Sequence, residues 1–236
     1  MSKVLESIQN NNPRHLGLIL DGNRRWAKEK GLKPFEGHRR GYLRLREIAI
    51  ASFERNVEYV SAFVFSTENW NRTKEEVNYL MDLLNWVATS EIKKLHKKNI
   101  RVVFLGSKKR LSPKILKNIH NAEELTKNNT GGTLALCLNY GGQQELSDAI
   151  ALIVKNKVKP SDINPQLISQ YLYGPELPPI DLIIRTSGEQ RLSGFMLWSA
   201  AYAELKFVLK QWPAFTVKDL DDALVDYASR QRRFGT

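Results

Sequence analysis

Leu16-Gly-Leu-Ile-Leu-Asp21-Gly-Asn-Arg-Arg-Trp26 runs from an apolar segment straight into a cluster of charge. Four of the five residues from Leu16 to Leu20 are apolar, which reads as a short buried strand. The strand stops at a carboxylate, Asp21. Gly22 and Asn23 supply turn chemistry, and Arg24 to Lys30 reads as a helix that ends before Gly31. In an open parallel sheet, ligands bind beyond the carboxyl ends of the strands, where helix N-termini expose unpaired N–H groups. Asp21 falls at that place with two guanidinium groups beside it. A diphosphate suits the arginines, but the carboxylate repels it unless a hard cation such as Mg2+ bridges the two. The stretch points to metal-assisted diphosphate binding. Taken alone, it reads equally well as a strand end with an Asp helix cap and a solvated basic helix.

The rest of the chain alternates in the same way. A helix is expected from Tyr42 to Arg55, after an interruption at Glu36-Gly-His38-Arg-Arg-Gly41. Val57 to Phe65, rich in β-branched and aromatic residues, reads as a second strand and ends at the polar run Ser66-Thr-Glu-Asn-Trp-Asn-Arg72. Thr73-Lys-Glu-Glu76 has capping-box spacing. Behind it Val77, Leu80, Met81, Leu84, Val87, Ala88, Ile92 and Leu95 recur at helical spacing, predicting the longest helix of the chain. Further strands are expected at 100–105, 133–139, 180–184 and 204–208. Helices are expected at 113–127, 143–154, 166–171 and 217–230. Strands alternating with helices argue for one α/β domain over residues 1–236: a central, mostly parallel six-stranded sheet flanked by helices, with 1–14 a loose arm or short helix.

The 236 residues carry a formal charge of +11, from 36 basic and 25 acidic side chains, which favours anionic partners: nucleic acid, acidic lipid surfaces or phosphorylated substrates. A single cysteine, Cys137, lies in an apolar run, so no intrachain disulfide forms, as suits a reducing cytoplasm. Cys137 has no basic residue close in sequence and reads as a buried structural thiol. The N-terminus lacks a signal-peptide apolar region, and no run approaches the ~18 apolar residues of a membrane span.

Three strand exits are unusually polar: Asp21 to Trp26, Ser66 to Arg72, and Arg185 to Ser193. A parallel sheet gathers them at one edge. Arg185, Arg191 and Ser193, in a glycine-containing loop, are expected to form a second phosphate site, so two phosphorylated ligands are expected side by side.

These segments closely resemble the cis-prenyltransferases, the undecaprenyl diphosphate synthase group. The resemblance rests on Leu20-Asp-Gly-Asn-Arg-Arg-Trp-Ala27, Gly37-His38, Phe65-Ser-Thr-Glu-Asn-Trp-Asn-Arg72, Asn139-Tyr-Gly-Gly142, Ile184-Arg-Thr-Ser-Gly-Glu-Gln-Arg-Leu-Ser193, Leu197-Trp-Ser-Ala-Ala-Tyr-Ala-Glu204 and the C-terminal Arg-Gln-Arg-Arg-Phe-Gly. They occur in the family's order and cover nearly the whole chain. The resemblance implies that Asp21 is the essential metal-binding acid and that Glu204 helps to hold Mg2+. It implies an allylic diphosphate site at Gly22, Asn23, Arg24 and Arg25, with Trp26 and His38 lining it. Ser66, Thr67, Glu68, Asn69, Trp70 and Arg72 match the segment that orders the two substrates. Arg185, Arg191, Leu192 and Ser193 match the isopentenyl diphosphate site. Asn69 is often given a proton-accepting role in the family. A neutral amide is a poor base, so an orienting role is expected instead.

Isopentenyl diphosphate and an allylic prenyl diphosphate are then the substrates, and a Z-polyprenyl diphosphate lipid carrier the product. The growing hydrocarbon needs an apolar tunnel, with the helix near Val77–Leu95 and the strand Leu134–Leu138 as expected walls. The family implies a homodimer, a cytoplasmic location and peripheral contact with the inner face of the membrane for product release. Arg24 and Ser187 stand where many bacterial members have Gly, Gly194 where Asn is common, and Pro34 where a phosphate-binding Arg is common, with Lys33 beside it. These departures leave the reaction class intact. Asp221-Asp222-Ala-Leu-Val-Asp226 looks superficially like the aspartate motif of a trans-type synthase but has no partner. A nucleic-acid-binding α/β protein is the alternative suggested by charge, yet zinc spacing, a basic zipper and RNP-like strands are missing, so no nucleic acid is expected. A non-catalytic subunit of a heteromeric prenyltransferase is the third reading; such relatives lose the acid or the arginine-rich loop, and this chain keeps both.

Overall fold

Residues 11–231 are described by the computed structural model. The chain runs β1 (His15–Ile19), α1 (Asn23–Glu29), α2 (Pro34–Phe53), β2 (Tyr59–Ser66), α3 (Lys74–Trp86), α4 (Ile92–Lys97), β3 (Arg101–Leu105), α5 (Pro113–Thr126), β4 (Thr133–Tyr140), α6 (Gly142–Lys155), α7 (Pro165–Gln170), β5 (Leu182–Arg185), β6 (Glu204–Phe207) and α8 (Val217–Ala228). The strands form one sheet in the order β3-β4-β2-β1-β5-β6, and every pair is parallel. The mostly parallel sheet expected from the sequence is thus entirely parallel. From β1 the chain builds outward through β2 on one side, and β5 returns to the other. The carboxyl ends of β1 and β5 are therefore a topological switch point.

Alternation along the strands gives the sheet two dry faces. Leu16, Leu18, Val60, Ala62, Leu134, Leu136, Leu182 and Ile184 join one core cluster with α2, α4 and α8, whereas Ile19, Ala135, Cys137, Ile183 and Phe195 join another. Cys137 is fully buried, and burial pushes its thiol up in pKa, as suits a structural residue. The edge strand β3 is blunted by α5: Thr126 Oγ1 accepts from Val102 N (3.1 Å) and Glu123 Oε1 from Phe104 N (2.9 Å). Among the described residues, no helix is long and apolar enough to cross a membrane.

Three local features differ from the sequence reading, and a fourth lies outside it. First, Glu36 to Gly41 does not interrupt the chain but forms the opening turns of α2, with Pro34 as the first helical residue. The two glycines are there for close approach: a Cβ on Gly37 would lie 2.1 Å from Asn23 O, and one on Gly41 2.3 Å from Asn23 Oδ1. Second, the expected long helix is broken. A π-helical turn over Val87–Glu91 separates α3 from α4, so the 20-residue α2 is the longest unbroken α-helix among the described residues. Within that turn Thr89 Oγ1 donates back to Asn85 O (2.7 Å), and buried Glu91 pairs with Arg46 and Lys94. Third, residues 12–14 are docked: Pro13 is buried, Asn12 Nδ2 donates to Arg55 O (2.7 Å), and Arg14 pairs with Glu58. Residues 1–10 of the expected arm lie outside the described residues. Fourth, the register between β2 and β4 shifts twice. Phe63 pairs with Cys137 but Phe65 with Leu138, leaving Val64 as an extra residue on β2. Asn139 compensates on β4 in a left-handed conformation (φ 48°).

Candidate active site

Asp21 closes β1 with a tight turn, its N–H donating to Ile19 O (3.0 Å). Gly22, at φ 101°, then starts α1; a Cβ there would meet Ser187 Oγ at 2.7 Å and Gln211 Cβ at 2.9 Å, so only glycine fits. The backbone of Asp21 is held independently of its side chain. Its carbonyl accepts from Trp212 N (3.0 Å) and from Thr186 Oγ1 (2.8 Å), while Trp212 Nε1 donates to Gly41 O (2.8 Å).

The carboxylate lies between two guanidiniums. Arg25 Nη2, one helical turn on, donates to Oδ1 (3.1 Å), and Arg185 Nη2, from the end of β5, donates to Oδ2 (3.0 Å). Arg185 is buried and itself held by Ser193 Oγ (2.9 Å) and the carbonyl of Arg191. The loop after β5 is shaped by Ser187 at φ 75° and Gly188 at φ 78°, so Ser187 adopts a conformation that favours glycine. Glu189, from this loop, bridges Arg25 (3.3 Å) and Arg191 (2.6 Å).

The loop after β2 faces these groups from the other side of β1. Asn69 Oδ1 accepts from Ser66 N (3.2 Å) in a reciprocal capping box. That leaves the Nδ2 hydrogens as the group Asn69 offers the cleft, which suits orienting rather than proton removal. Trp70 donates to Asn139 Oδ1 (2.7 Å), meets Phe65 edge-on at 5.1 Å, and carries Arg110 over its ring at 4.3 Å. Arg72 Nη1 donates to Glu76 Oε1 (2.7 Å), which also meets His38 Nε2 (3.1 Å), and Arg24 reaches Glu76 Oε2 (3.3 Å). Burial lowers the pKa of His38 more than Glu76 raises it. Arg24, Arg25, Arg72, Arg185 and Arg191 thus pair with the carboxylates Asp21, Glu76 and Glu189; with Glu68, which also lines the cleft, five arginines stand against four acids, one positive charge in excess.

Two concavities meet here. An open cleft of about 670 Å3 is lined by Asp21, Ser66, Glu68, Asn69, Arg72, Arg185 and Ser193 among others. A narrower cavity of about 140 Å3 runs behind it, lined by Leu45, Leu80, Leu83, Leu84, Val87, Leu136 and Leu138. Leu20, Phe63, Asn69 and Arg72 line both. The bulge at Val64 lets three consecutive residues, Phe63, Val64 and Phe65, all border the apolar cavity, which a regular strand would not allow. A charged cleft opening onto an apolar pocket suits an amphiphile with an anionic head.

Comparison with known proteins agrees with that chemistry. The prenyltransferase family model, described as undecaprenyl diphosphate synthase, matches residues 19–235. The chain belongs to the cis-prenyltransferases. An isoprenyl transferase 2 of Corynebacterium efficiens is 46% identical to it over 228 residues, covering 95% of this chain and 94% of the relative. A ditrans,polycis-undecaprenyl-diphosphate synthase of Vibrio parahaemolyticus, specific for (2E,6E)-farnesyl diphosphate, is 43% identical, covering 94% and 90%. Among solved structures, lavandulyl diphosphate synthase from Lavandula x intermedia, in complex with dimethylallyl diphosphate, superposes with a TM-score of 0.91 at 34% identity. That match covers 96% of this chain and all of the other.

Within this cis-prenyltransferase the structure draws most of the residues named from sequence to one sheet edge, but not all. Trp26 turns away from Asp21, because successive residues on α1 point in different directions, and borders a surface groove with Arg40, Leu43, Arg44 and Pro213. Leu192 packs against the cluster around Phe195. Thr67, half-buried with its hydroxyl against Gly141, donates to Glu68 Oε1 (3.0 Å) and does not line the cleft. Glu204 opens β6 in register with Leu182, three rungs before Arg185, and is ion-paired to Arg230 (2.7 Å); the fold of one chain does not bring it to Asp21. Glu76 and Glu189 are site residues with no functional signal of their own in the sequence: Glu189 falls between Arg185 and Arg191, and the spacing of Glu76 from Thr73 is that of a capping box.

Proposed function

We propose that this chain condenses isopentenyl diphosphate with an allylic prenyl diphosphate to form a Z-prenyl diphosphate, with Mg2+ as cofactor. The observation that carries the reading is Asp21, held between Arg25 and Arg185 where the cationic cleft opens onto the apolar cavity. Arg24, Arg25 and Arg72 bear on the allylic diphosphate, and the hydrocarbon tail enters the cavity past Phe65 and Leu138. Arg185, Arg191 and Ser193 bear on isopentenyl diphosphate. Arg185 Nε is buried with no partner among the described residues, a donor suited to an anion.

The donor set also fits the metal. The Asp21 side chain is 28% exposed, and among the described residues no group of three His, Cys, Asp or Glu side chains could hold a cation unaided. Mg2+ characteristically takes one or two carboxylates plus substrate phosphate oxygens, so Asp21 would hold it. When bound, it would supply charge stabilisation to the pyrophosphate leaving group. In the reaction the allylic C–O bond breaks and pyrophosphate departs. The double bond of isopentenyl diphosphate attacks the allylic carbon, and the isopentenyl unit then gives up a proton to the departing pyrophosphate, which leaves the new double bond. The arginines stabilise the departing charge, and Asn69 orients the substrates.

Purified protein given labelled isopentenyl diphosphate, primers of several lengths and Mg2+ should yield elongated products on chromatography, and chelation by EDTA should abolish them. Absence of elongation with every primer would overturn the reading. A homodimer belongs to the same proposal, with the C-terminal tail completing the neighbouring site. Arg230 pairs with Glu204 and Asp226, whereas residues 232–236 lie outside the described residues. Light scattering should give twice the chain mass; a fully active monomer would refute the dimer. Cytoplasmic location, with peripheral membrane contact as the apolar product leaves, follows from the same reading.

A further inference from the structure

Glu76 is only 8% exposed, yet one of its partners, Arg72, lines both the open cleft and the narrower cavity, and another, His38, lines the cavity. Its carboxylate takes Arg72 and His38 on one oxygen and Arg24 on the other. The two arginines differ in what else holds them. Arg72 is about three-quarters covered, whereas the Arg24 side chain is 58% exposed and, among the described residues, its one ion pair is with Glu76. A buried carboxylate is costly unless paired, and unpaired guanidiniums this close repel one another. Without Glu76, Arg24 gains rotamer freedom by swinging into water. The helix-cap role is carried by Thr73, whose hydroxyl accepts from Glu76 N (3.3 Å), so the side chain of Glu76 is left for the arginines. Glu76 also stands in the first turn of α3, whose Leu80, Leu83 and Leu84 wall the apolar cavity. One element, α3, thus carries both the carboxylate that pairs the two arginines and part of the wall of the apolar cavity.

We propose that Glu76 is a positioning residue, which fixes Arg24 and Arg72 so that both guanidiniums bear on the allylic diphosphate. The proposal rests on the reading of the cleft as a prenyl diphosphate site. It acts through the arginines, so its signature is coupling. In steady-state assays with Mg2+, Glu76→Gln should raise the KM for the allylic primer about ten-fold, the scale of a charged hydrogen bond, while the KM for isopentenyl diphosphate stays within about two-fold. Glu76→Asp, which keeps the charge with a shorter reach, should fall between. In an Arg24→Met background the same Glu76→Gln change should raise the allylic KM by no more than about three-fold, because one of its two targets is gone. Activities are compared at equal folded fraction, read by circular dichroism. A purely structural Glu76 would lower thermal stability without separating the two KM values, and that result overturns the proposal. So does an equal effect in both backgrounds. Wild-type protein that elongates no primer overturns the proposed function and this role with it. An active wild type with an unmoved allylic KM in Glu76→Gln overturns this role alone.

Discussion

Asp21→Ala is expected to lower turnover by ~10²–10³ or more, the scale seen when a group that stabilises developing charge is removed. The loss should fall on chemistry rather than on folding. The bonds that fix this corner use the Asp21 carbonyl, from Trp212 N and Thr186 Oγ1, and alanine keeps them. Arg185 loses one partner but retains Ser193 Oγ and the Arg191 carbonyl, so its buried charge is not stranded. Arg25 retains Glu189. The variant should give a native circular dichroism spectrum with near-zero prenyl transfer. A folded Asp21→Ala protein with near-normal turnover would remove Asp21 from the mechanism.

The second large effect concerns product length. On the proposed reading the growing tail enters the apolar cavity and stops when it meets a wall, so wall volume should set the product. Leu138 is 4% exposed, lines the apolar cavity and also borders a second cavity of about 120 Å3 between β3 and α5. Leu138→Ala takes side-chain volume from between the two. Longer products are expected, at a stability cost of ~2–5 kcal/mol for a buried leucine. Val64, the bulged residue of β2, borders the same cavity, and Val64→Leu adds volume to the wall; shorter products are expected. Chromatographic sizing of products at equal folded fraction checks both. Unchanged distributions would make the two residues plain core and place the stopping wall elsewhere.

What the sequence made legible were features with local signatures. An apolar run ended by Asp21 gave a strand exit, and the alternation of strands and helices gave a parallel sheet. The one-edge grouping of Asp21, Arg72 and Arg185 followed from that sheet alone, and the structure has it. What stayed hidden depends on neighbours distant in sequence. Gly37 and Gly41 look like breaks because glycine is a poor helix former, but α1 lies too close to α2 there for any side chain. Glu76 has the spacing of a helix cap, and only the fold shows Arg24, 52 residues away, reaching it. The π-helical turn at Val87–Glu91 keeps Val87, Ala88 and Ile92 buried across an extra residue, so the apolar stripe gives no hint of it. Trp26 and Glu204 show the converse. Each lies in a segment that marks the family, yet the fold of one chain directs Trp26 to a surface groove and Glu204 to Arg230.

The central claim is that this cleft adds isoprene units with cis geometry. Nuclear magnetic resonance of the purified product reads that geometry directly from the methyl carbons of the newly formed double bonds. Product made from isopentenyl diphosphate and an all-trans allylic primer should carry trans bonds only from the primer and a cis bond at every added unit. Trans bonds in the added units would contradict the account.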